Sequence, residues 1–152
     1  MSIHVALATY NGEKYVREQI ESICRQTLKP DKIIIVDDGS SDKTIKIIEA
    51  LQVTSPVEIE LYSNEKNLGV IKTFEKALGL CDSDYIALAD QDDVWLSNKL
   101  EKLLGVTVRL ETSSIGEPLI VHSDLKLVNE NLEVTHDSFL HDVIDGDYED
   151  YS

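Results

Sequence analysis

The sequence predicts an α/β domain built on a mostly parallel sheet, with flanking helices and a β-hairpin at its end. Apolar spacing alternates between strand-like and helix-like for the first 120 residues, the pattern of βαβ units that feed a parallel sheet. Each strand-like run in that stretch is followed directly by a polar cluster. Beyond Glu111 the period changes and a hairpin pattern takes over. At 152 residues, 42% of them apolar, the chain is about one domain long and can bury a core.

The elements follow in order. Ile3 to Ala8 reads as a short apolar strand, and Lys14 to Arg25 as a helix with Val16, Ile20, Ile23 and Cys24 on one face. Pro30 stops any continuation. Lys32 to Val36, KIIIV, is a buried strand, and DDGSSD after it is a turn with a helix start at its end. Thr44 to Leu51 carries Ile45, Ile48 and Leu51 at helical spacing, whereas Val57 to Ser63 alternates strictly as a half-buried strand does. Gly69 to Leu80 is helical, with Val70, Phe74, Ala77 and Leu78 as its stripe, and Tyr85 to Ala89 is the next strand. Ser97 is placed to cap the helix carrying Leu100, Leu103 and Leu104. After the loop TSSIGEP, LIVHS reads as a strand and DLKLVNENLEVT as a hairpin turning at Asn129 to Asn131. Residues 1–136 form the organised part; residues 137–152 hold six acids and no Lys or Arg, and read as an acidic tail or incomplete element.

Charge and cysteine usage narrow the function classes. With 29 acids against 14 bases, the formal charge of -15 argues against a nucleic-acid backbone or an anionic membrane as main partner. Any phosphate bound here needs a metal or a local positive field. Cys24 and Cys81 share no CxxC spacing and read as small buried apolar side chains. The opening MSIHVALATYNG has one short apolar run, far below the length of a signal h-region or a membrane span, so a cytoplasmic location is expected.

The run ADQDDVW, Ala89 to Trp95, sets three carboxylates within four positions at the end of YIAL. Neighbouring carboxylates raise one another's pKa values and weaken a fold unless something positive sits among them. A solvated turn and a cation site are the two readings. In an open parallel sheet, ligands bind beyond the carboxyl ends of the strands, where the chain order switches. The polar clusters fall at those ends: Thr9 to Glu13, Asp37 to Asp42, Asn64 to Asn67, and Asp90 to Asp93. Asp90 and Asp92, two residues apart, would face the same side. Their hard oxygens suit Mg²⁺, Mn²⁺ or Ca²⁺. His4, His122, His136 and His141 show no ligand pairing at i+3 or i+4, although His122 ends LIVHS at the same rim.

Taken together, ALATYNGEKYV, KIIIVDDGSSDKT, NEKNLGV and YIALADQDDVW resemble, in order and spacing, the family 2 glycosyltransferases of the GT-A, Rossmann-like fold. The likeness runs from Ile3 to about Leu104, and ADQDDVWLSNKL with HSDLKLVNENL looks most like bacterial rhamnosyltransferase-type members of polysaccharide biosynthesis. It implies a nucleotide-sugar donor, a UDP- or dTDP-sugar, and a glycan or lipid-linked glycan acceptor. By the same likeness Thr9 and Tyr10 would flank the nucleobase, and Asn11 and Glu13 would hold the loop or the ribose. Asp38 would recognise the base imide N–H with Asp37 as its structural neighbour, while Asn67 and Gly69 pass beside the nucleotide and Lys72 reaches a phosphate. Asp90-Gln91-Asp92 matches the DXD motif, with Gln91 among the donor-nucleotide-binding residues: Asp92 would bind Mg²⁺ or Mn²⁺ bridging the diphosphate, and Asp90 the ribose or a metal-bound water. The reaction implied is an inverting, metal-dependent sugar transfer, at the inner face of the membrane where the acceptor is lipid-linked.

The chain departs from the family in one respect. The family places its base and acceptor region farther downstream, and no residue here matches the acidic base motif. Asp142, Asp145, Asp147, Glu149 and Asp150 read as a solvated tail, and Asp124 as a candidate helper of the metal or acceptor region. The resemblance therefore implies a truncated chain, the nucleotide-binding half of a transferase, inactive or weakly active alone. Three other classes compete for these residues. A phosphoacceptor receiver domain would use KIIIVDD as its first strand and acidic pair, with Asp90 phosphorylated, but no strand end with the required Lys follows. A catalytically inactive binding module of the same fold is opposed by the intact Asp38, Asp90 and Asp92. No GxGxxG follows any strand, which excludes a dinucleotide-binding reading.

Overall fold

Four strands make up the sheet of the N-terminal part, β1 (Ile3–Thr9), β2 (Lys32–Asp37), β3 (Glu58–Ser63) and β4 (Tyr85–Asp90), and β-branched and leucine side chains dominate β1 and β2. Such side chains suit a pleated surface packed on both faces. In this computed structural model, which describes residues 1–112 and 117–141, they form a parallel sheet in the order β3-β2-β1-β4. Val5, Ala6, Leu7, Ile33, Ile34, Ile35 and Val36 on the two inner strands are each at most 1% exposed. The register pairs Thr9 with Asp37, Asp37 with Ser63, and Ala8 with Asp90, so the carboxyl ends of all four strands finish nearly level.

Helix α1 (Val16–Cys24) and helix α2 (Thr44–Thr54) cover one face. Val16, Ile20, Ile23, Ile48 and Leu51 meet Val5, Leu7, Ile33, Ile35 and Ile59 in the main core. Helix α3 (Val70–Leu80) lies on the other face, where Ala77 packs with Ala6 and Val36. The chain adds strands outward from β1 to β3, then returns through α3 to set β4 on the far side of β1. A topological switch therefore lies between β1 and β4, and ligand crevices form at such points.

Contact density divides the chain into two units, Met1–Leu104 and Gly105–Ser152. Helix α4 (Lys99–Glu111) crosses that boundary in sequence. In the second unit, β5 (Leu127–Val128) and β6 (Val134–His136) form the expected antiparallel hairpin. The Asn129 side chain accepts the N–H groups of Asn131 and Glu133, which fixes the turn. Among the described residues no helix is long and apolar enough to cross a membrane.

Several local expectations are corrected. LIVHS is not a strand: residues 119–123 take no ladder partner, and without one an apolar run cannot satisfy its backbone as a strand. Helix α4 starts at Lys99, two residues after Ser97, so Ser97 does not stand at its cap; its carbonyl instead accepts the Thr27 N–H at 2.7 Å. Cys24 is buried and free as expected, but Cys81 follows the end of α3, is only half-buried, and donates its thiol to the Ala77 carbonyl. The acids from Asp142 to Asp150 lie outside the described residues. Truncating Ile35, fully buried at the centre of the sheet, should cost about 2–5 kcal/mol in urea unfolding as Ile35→Ala. The exposed Val53 should tolerate Val53→Ala within about 0.5 kcal/mol in the same measurement.

Candidate active site

A cleft of about 250 Å³ opens at the carboxyl ends of the strands. The end of β1 contributes Ala8, Thr9 and Tyr10, the end of β2 contributes Asp38, and the end of β4 contributes Asp90, Gln91 and Asp92. Asn67, Gly69, Val70 and Thr73, at the start of α3, close the remaining side. The cleft thus sits at the switch between β1 and β4.

The two carboxylates after β2 are held by donors of the chain itself. Asp37 is fully buried and accepts the Thr9 hydroxyl at 2.9 Å, the Gly39 and Ser40 N–H groups at 3.1 and 2.8 Å, and the Ser40 hydroxyl. Asp38, 3% exposed, accepts the Asn64 amide and the Leu68 N–H on Oδ1, and the Gly69 N–H on Oδ2, each at 2.8 Å. These N–H groups open α3, so the carboxylate stabilises a helix N-terminus. Gly69 has φ 86° there, a conformation that only glycine adopts without strain. Burial by itself would raise the Asp38 pKa, but the bonds from Leu68, Asn64, Gly69 and Thr73 outweigh it and lower the pKa.

Asn11 and Glu13 point away from the cleft lining and join the first loop to the second. Asn11, at φ 47°, donates its N–H to the Ser40 hydroxyl and accepts the Ser41 N–H. The Glu13 carboxylate accepts the Lys43 N–H, and the Glu13 N–H reaches Asp42. These bonds tie the loop after β1 to the loop after β2.

The acidic loop after β4 is positioned by one polar stripe on α1. Gln19, wholly buried, donates to the Asp90 carbonyl at 2.9 Å; Ser22 accepts the Trp95 N–H at 3.0 Å. Just past the helix, Gln26 donates to the Leu96 carbonyl and accepts the Leu100 N–H. Sequence reasoning passed over these residues. The available signal was polar side chains at Gln19, Ser22 and Gln26 interleaved with the apolar stripe of Val16, Ile20 and Ile23.

Lys99 was likewise missed, and it supplies the positive charge that ADQDDVW demands. Its Nζ lies 4.6 Å from the centre of the Trp95 ring, a cation–π contact. Burial lowers the Lys99 pKa, against the raising effects of Asp93 and Asp90. Partial desolvation raises the Asp90 pKa and the charge of Asp92 adds to it, with Lys99 opposing. Asp93 is raised by burial and then by Asp90, again opposed by Lys99. One lysine offsets part of the repulsion and leaves the rest.

Among the described residues, the side chains of Asp90 and Asp92 have no hydrogen-bond or ion-pair partner. Two unpartnered hard-oxygen donors lining one cleft fit a divalent cation of the Mg²⁺ or Mn²⁺ type, which keeps positions open for water and phosphate oxygens. No group of three or more His, Cys, Asp or Glu among the described residues could enclose an ion without such outside ligands. Lys72 does not line the cleft; it is exposed on α3 and pairs with Glu75. Asp93 is also outside the lining. Asp124 serves its own unit, accepting the Ser138 hydroxyl and the Leu125 and Leu140 N–H groups. His122 is exposed, on a segment that is not a strand.

Comparison with known proteins gives the same direction. The family described as Glycosyl transferase family 2 matches residues 4–130. The dTDP-rhamnosyl transferase RfbG of Shigella flexneri is 38% identical over 106 residues, which span 67% of this chain and 37% of that protein. The UDP-Glc:alpha-D-GlcNAc-diphosphoundecaprenol beta-1,3-glucosyltransferase WfgD of Escherichia coli is 28% identical over 130 residues, 85% of this chain and 47% of that one. Among solved structures, S. aureus TarS 1–349 in complex with UDP has a TM-score of 0.62 at 21% identity, covering 84% of this chain and 42% of that one. The mannosyltransferase PcManGT from Pyrobaculum calidifontis, in complex with GDP-Man and Mn²⁺, has a TM-score of 0.63 at 21% identity, covering 82% and 35%. These likenesses show a GT-A fold, and the chain spans less than half the length of each of these proteins.

The Asp38 bonds make stability pH-dependent in a defined sense. A carboxylate whose folded pKa lies below its unfolded value of 3.8 stabilises the fold above that value, and the contribution disappears as pH falls through the folded pKa. Asp38→Asn should therefore be less stable than the parent at pH 7, and the gap should narrow as urea midpoints are followed below pH 4, about the ordinary carboxylate range.

Proposed function

The chain belongs to glycosyl transferase family 2, and we propose that its cleft holds the nucleoside-diphosphate sugar donor of a metal-dependent, inverting transfer. One observation carries this reading: the cleft joins a wall formed by Thr9, Tyr10 and Asp38 to two unpartnered carboxylates, Asp90 and Asp92. The first suits a base and the second suits a diphosphate with its counter-ion. An acidic chain of formal charge -15 has little else with which to hold phosphate.

In this reading Thr9 and Tyr10 flank a uracil or thymine ring. Asp38 Oδ2, which also takes the Gly69 N–H, accepts the imide N–H. Asn67 and Gly69 run beside the nucleotide, while Asn11, Glu13 and Asp37 hold the loops that carry the wall. Asp92 and Asp90 hold Mg²⁺ or Mn²⁺. When bound, the ion would neutralise the diphosphate and stabilise charge on the departing nucleoside diphosphate. Lys72 would have to leave Glu75 to reach a phosphate, so it contributes less than the carboxylates. A carboxylate base takes the acceptor hydroxyl's proton in such a displacement, and none of the residues assigned here fills that role. The acceptor is a glycan or lipid-linked glycan of bacterial polysaccharide biosynthesis, met at the cytoplasmic face of the membrane. The name of WfgD, with its GlcNAc-diphosphoundecaprenol acceptor, supports that class, and the name of RfbG supports a dTDP-sugar donor.

Calorimetric titration with UDP and dTDP, with and without Mn²⁺, tests the assignment. Mn²⁺ should tighten binding by about tenfold or more, about 1.4 kcal/mol, and Asp92→Ala should remove that gain. Equal affinity of the parent and Asp92→Ala in Mn²⁺ would overturn it.

A further inference from the structure

We infer that Gln91 is a positioning residue, whose amide locks the Tyr10 backbone to the acidic loop so that the cleft wall and the carboxylate pair are held as one body. Gln91 Oε1 accepts the Tyr10 N–H at 2.9 Å, and Gln91 Nε2 donates to the Tyr10 carbonyl at 3.1 Å. A side-chain amide bonded this way reproduces the paired bonds of a β ladder. The β1–β4 ladder ends at Ala8 and Asp90, and the Gln91 side chain prolongs it where the backbones part.

The contact is built on both sides. A Cβ added at Gly12 would lie 2.2 Å from Gln91 Oε1 and 2.6 Å from its Cδ, so the amide rests directly on the glycine backbone. Gly12 cannot retreat, because its N–H is bonded to Thr44 Oγ1 at 2.8 Å and its carbonyl accepts the Tyr15 and Val16 N–H groups. On the opposite side, Gln19 pins the Asp90 carbonyl. Only an amide of this length satisfies the seat. Asparagine is one methylene short, and glutamate would turn a carboxylate on the Tyr10 carbonyl and add charge between Asp90 and Asp92. The inference rests on the donor-cleft reading only for its consequence. If the base sits at Tyr10 and the diphosphate at Asp90 and Asp92, the clamp sets their separation, and binding at either end stabilises the other reciprocally.

Amide hydrogen exchange on the full chain tests the clamp without any ligand. Tyr10 is 46% exposed, and Gln91 is the partner of its N–H. In Gln91→Ala the Tyr10 amide should exchange about tenfold faster or more, while the Asp38 amide, bonded to the Thr9 carbonyl, keeps its rate and reports an intact fold. Gly12→Ala should free Tyr10 similarly, and adding it to Gln91→Ala should change little further, the non-additivity of residues sharing one contact. Gln91→Met, of similar length but without the amide, covers the case in which the truncations fail to fold: Tyr10 should again exchange faster. A Tyr10 rate unaltered in Gln91→Ala or in Gln91→Met would overturn the clamp. In a second arm, Gln91→Ala should weaken uridine or thymidine and should weaken UDP or dTDP with Mn²⁺ by a larger factor, since only the diphosphates span both ends of the clamp, whereas Asp92→Ala should spare the nucleosides. Loss confined to the diphosphates would show Gln91 acting as a donor ligand and overturn the inference. A parent chain that binds none of these compounds would defeat the donor-cleft reading, and the exchange rates would still decide the clamp.

Discussion

Like charge gathered at one edge of a parallel sheet is the constraint to which the rest of the first unit answers. β2 ends in Asp37-Asp38 and β4 leads into Asp90, Asp92 and Asp93, within a level set of strand ends. A buried carboxylate there must be met by donors, by a cation, or by protonation, whereas an exposed one can also be met by water. The chain uses different answers on the two strands. After β2 the acids are surrounded by N–H and hydroxyl donors, so their charge organises turns and the start of α3. After β4 the donors are withheld: Asp90 and Asp92 have no partner among the described residues, and Lys99 only offsets part of the repulsion. A fold that satisfies one acidic pair and leaves its neighbour unmet has kept the second available for something that arrives from outside.

Keeping these exposed carboxylates beside one cleft requires a rigid mount, since a free loop would let them drift apart. The mount is the buried face of α1 with its C-terminal extension, where Gln19, Ser22 and Gln26 hold the backbone from Asp90 to Leu100. These are neutral amides and a hydroxyl, which bind carbonyl and N–H groups without adding to the local charge. The opposite side of the acidic loop is held by the Gln91–Tyr10 contact. The geometry of this rim thus depends on Gln19, Ser22 and Gln26, which do not line the cleft, consistent with the need to hold a binding constellation within a fraction of an ångström.

Belonging to glycosyl transferase family 2 while spanning less than half the length of the compared relatives, the chain is best understood through what its own cleft provides. In the proposed reading that is recognition and orientation of the donor. The proposed donor cleft lies wholly within Met1–Leu104, and the second unit spends its polar groups on its own hairpin, as Asn129 and Asp124 illustrate.

By itself the sequence determined the order and kind of the elements through β4, because apolar period is a local property that the sheet merely collects. KIIIV could only be a buried strand, and the acids after it could only fall at a strand end. The motifs also made the family legible, since four of them recur in one order. LIVHS was misread for the converse reason: a strand exists only with a partner, and no local run states whether one is present. Tertiary structure alone decided which acids are satisfied and which are free, because partners such as Leu68, Gln19 and Lys99 come from distant elements. It also turned Asn11 and Glu13 into loop braces, left Lys72 paired with Glu75, and brought the amide of Gln91 onto Tyr10 over a bare Gly12. Charge and period are written residue by residue; the distances that convert them into a site exist only once the chain has folded.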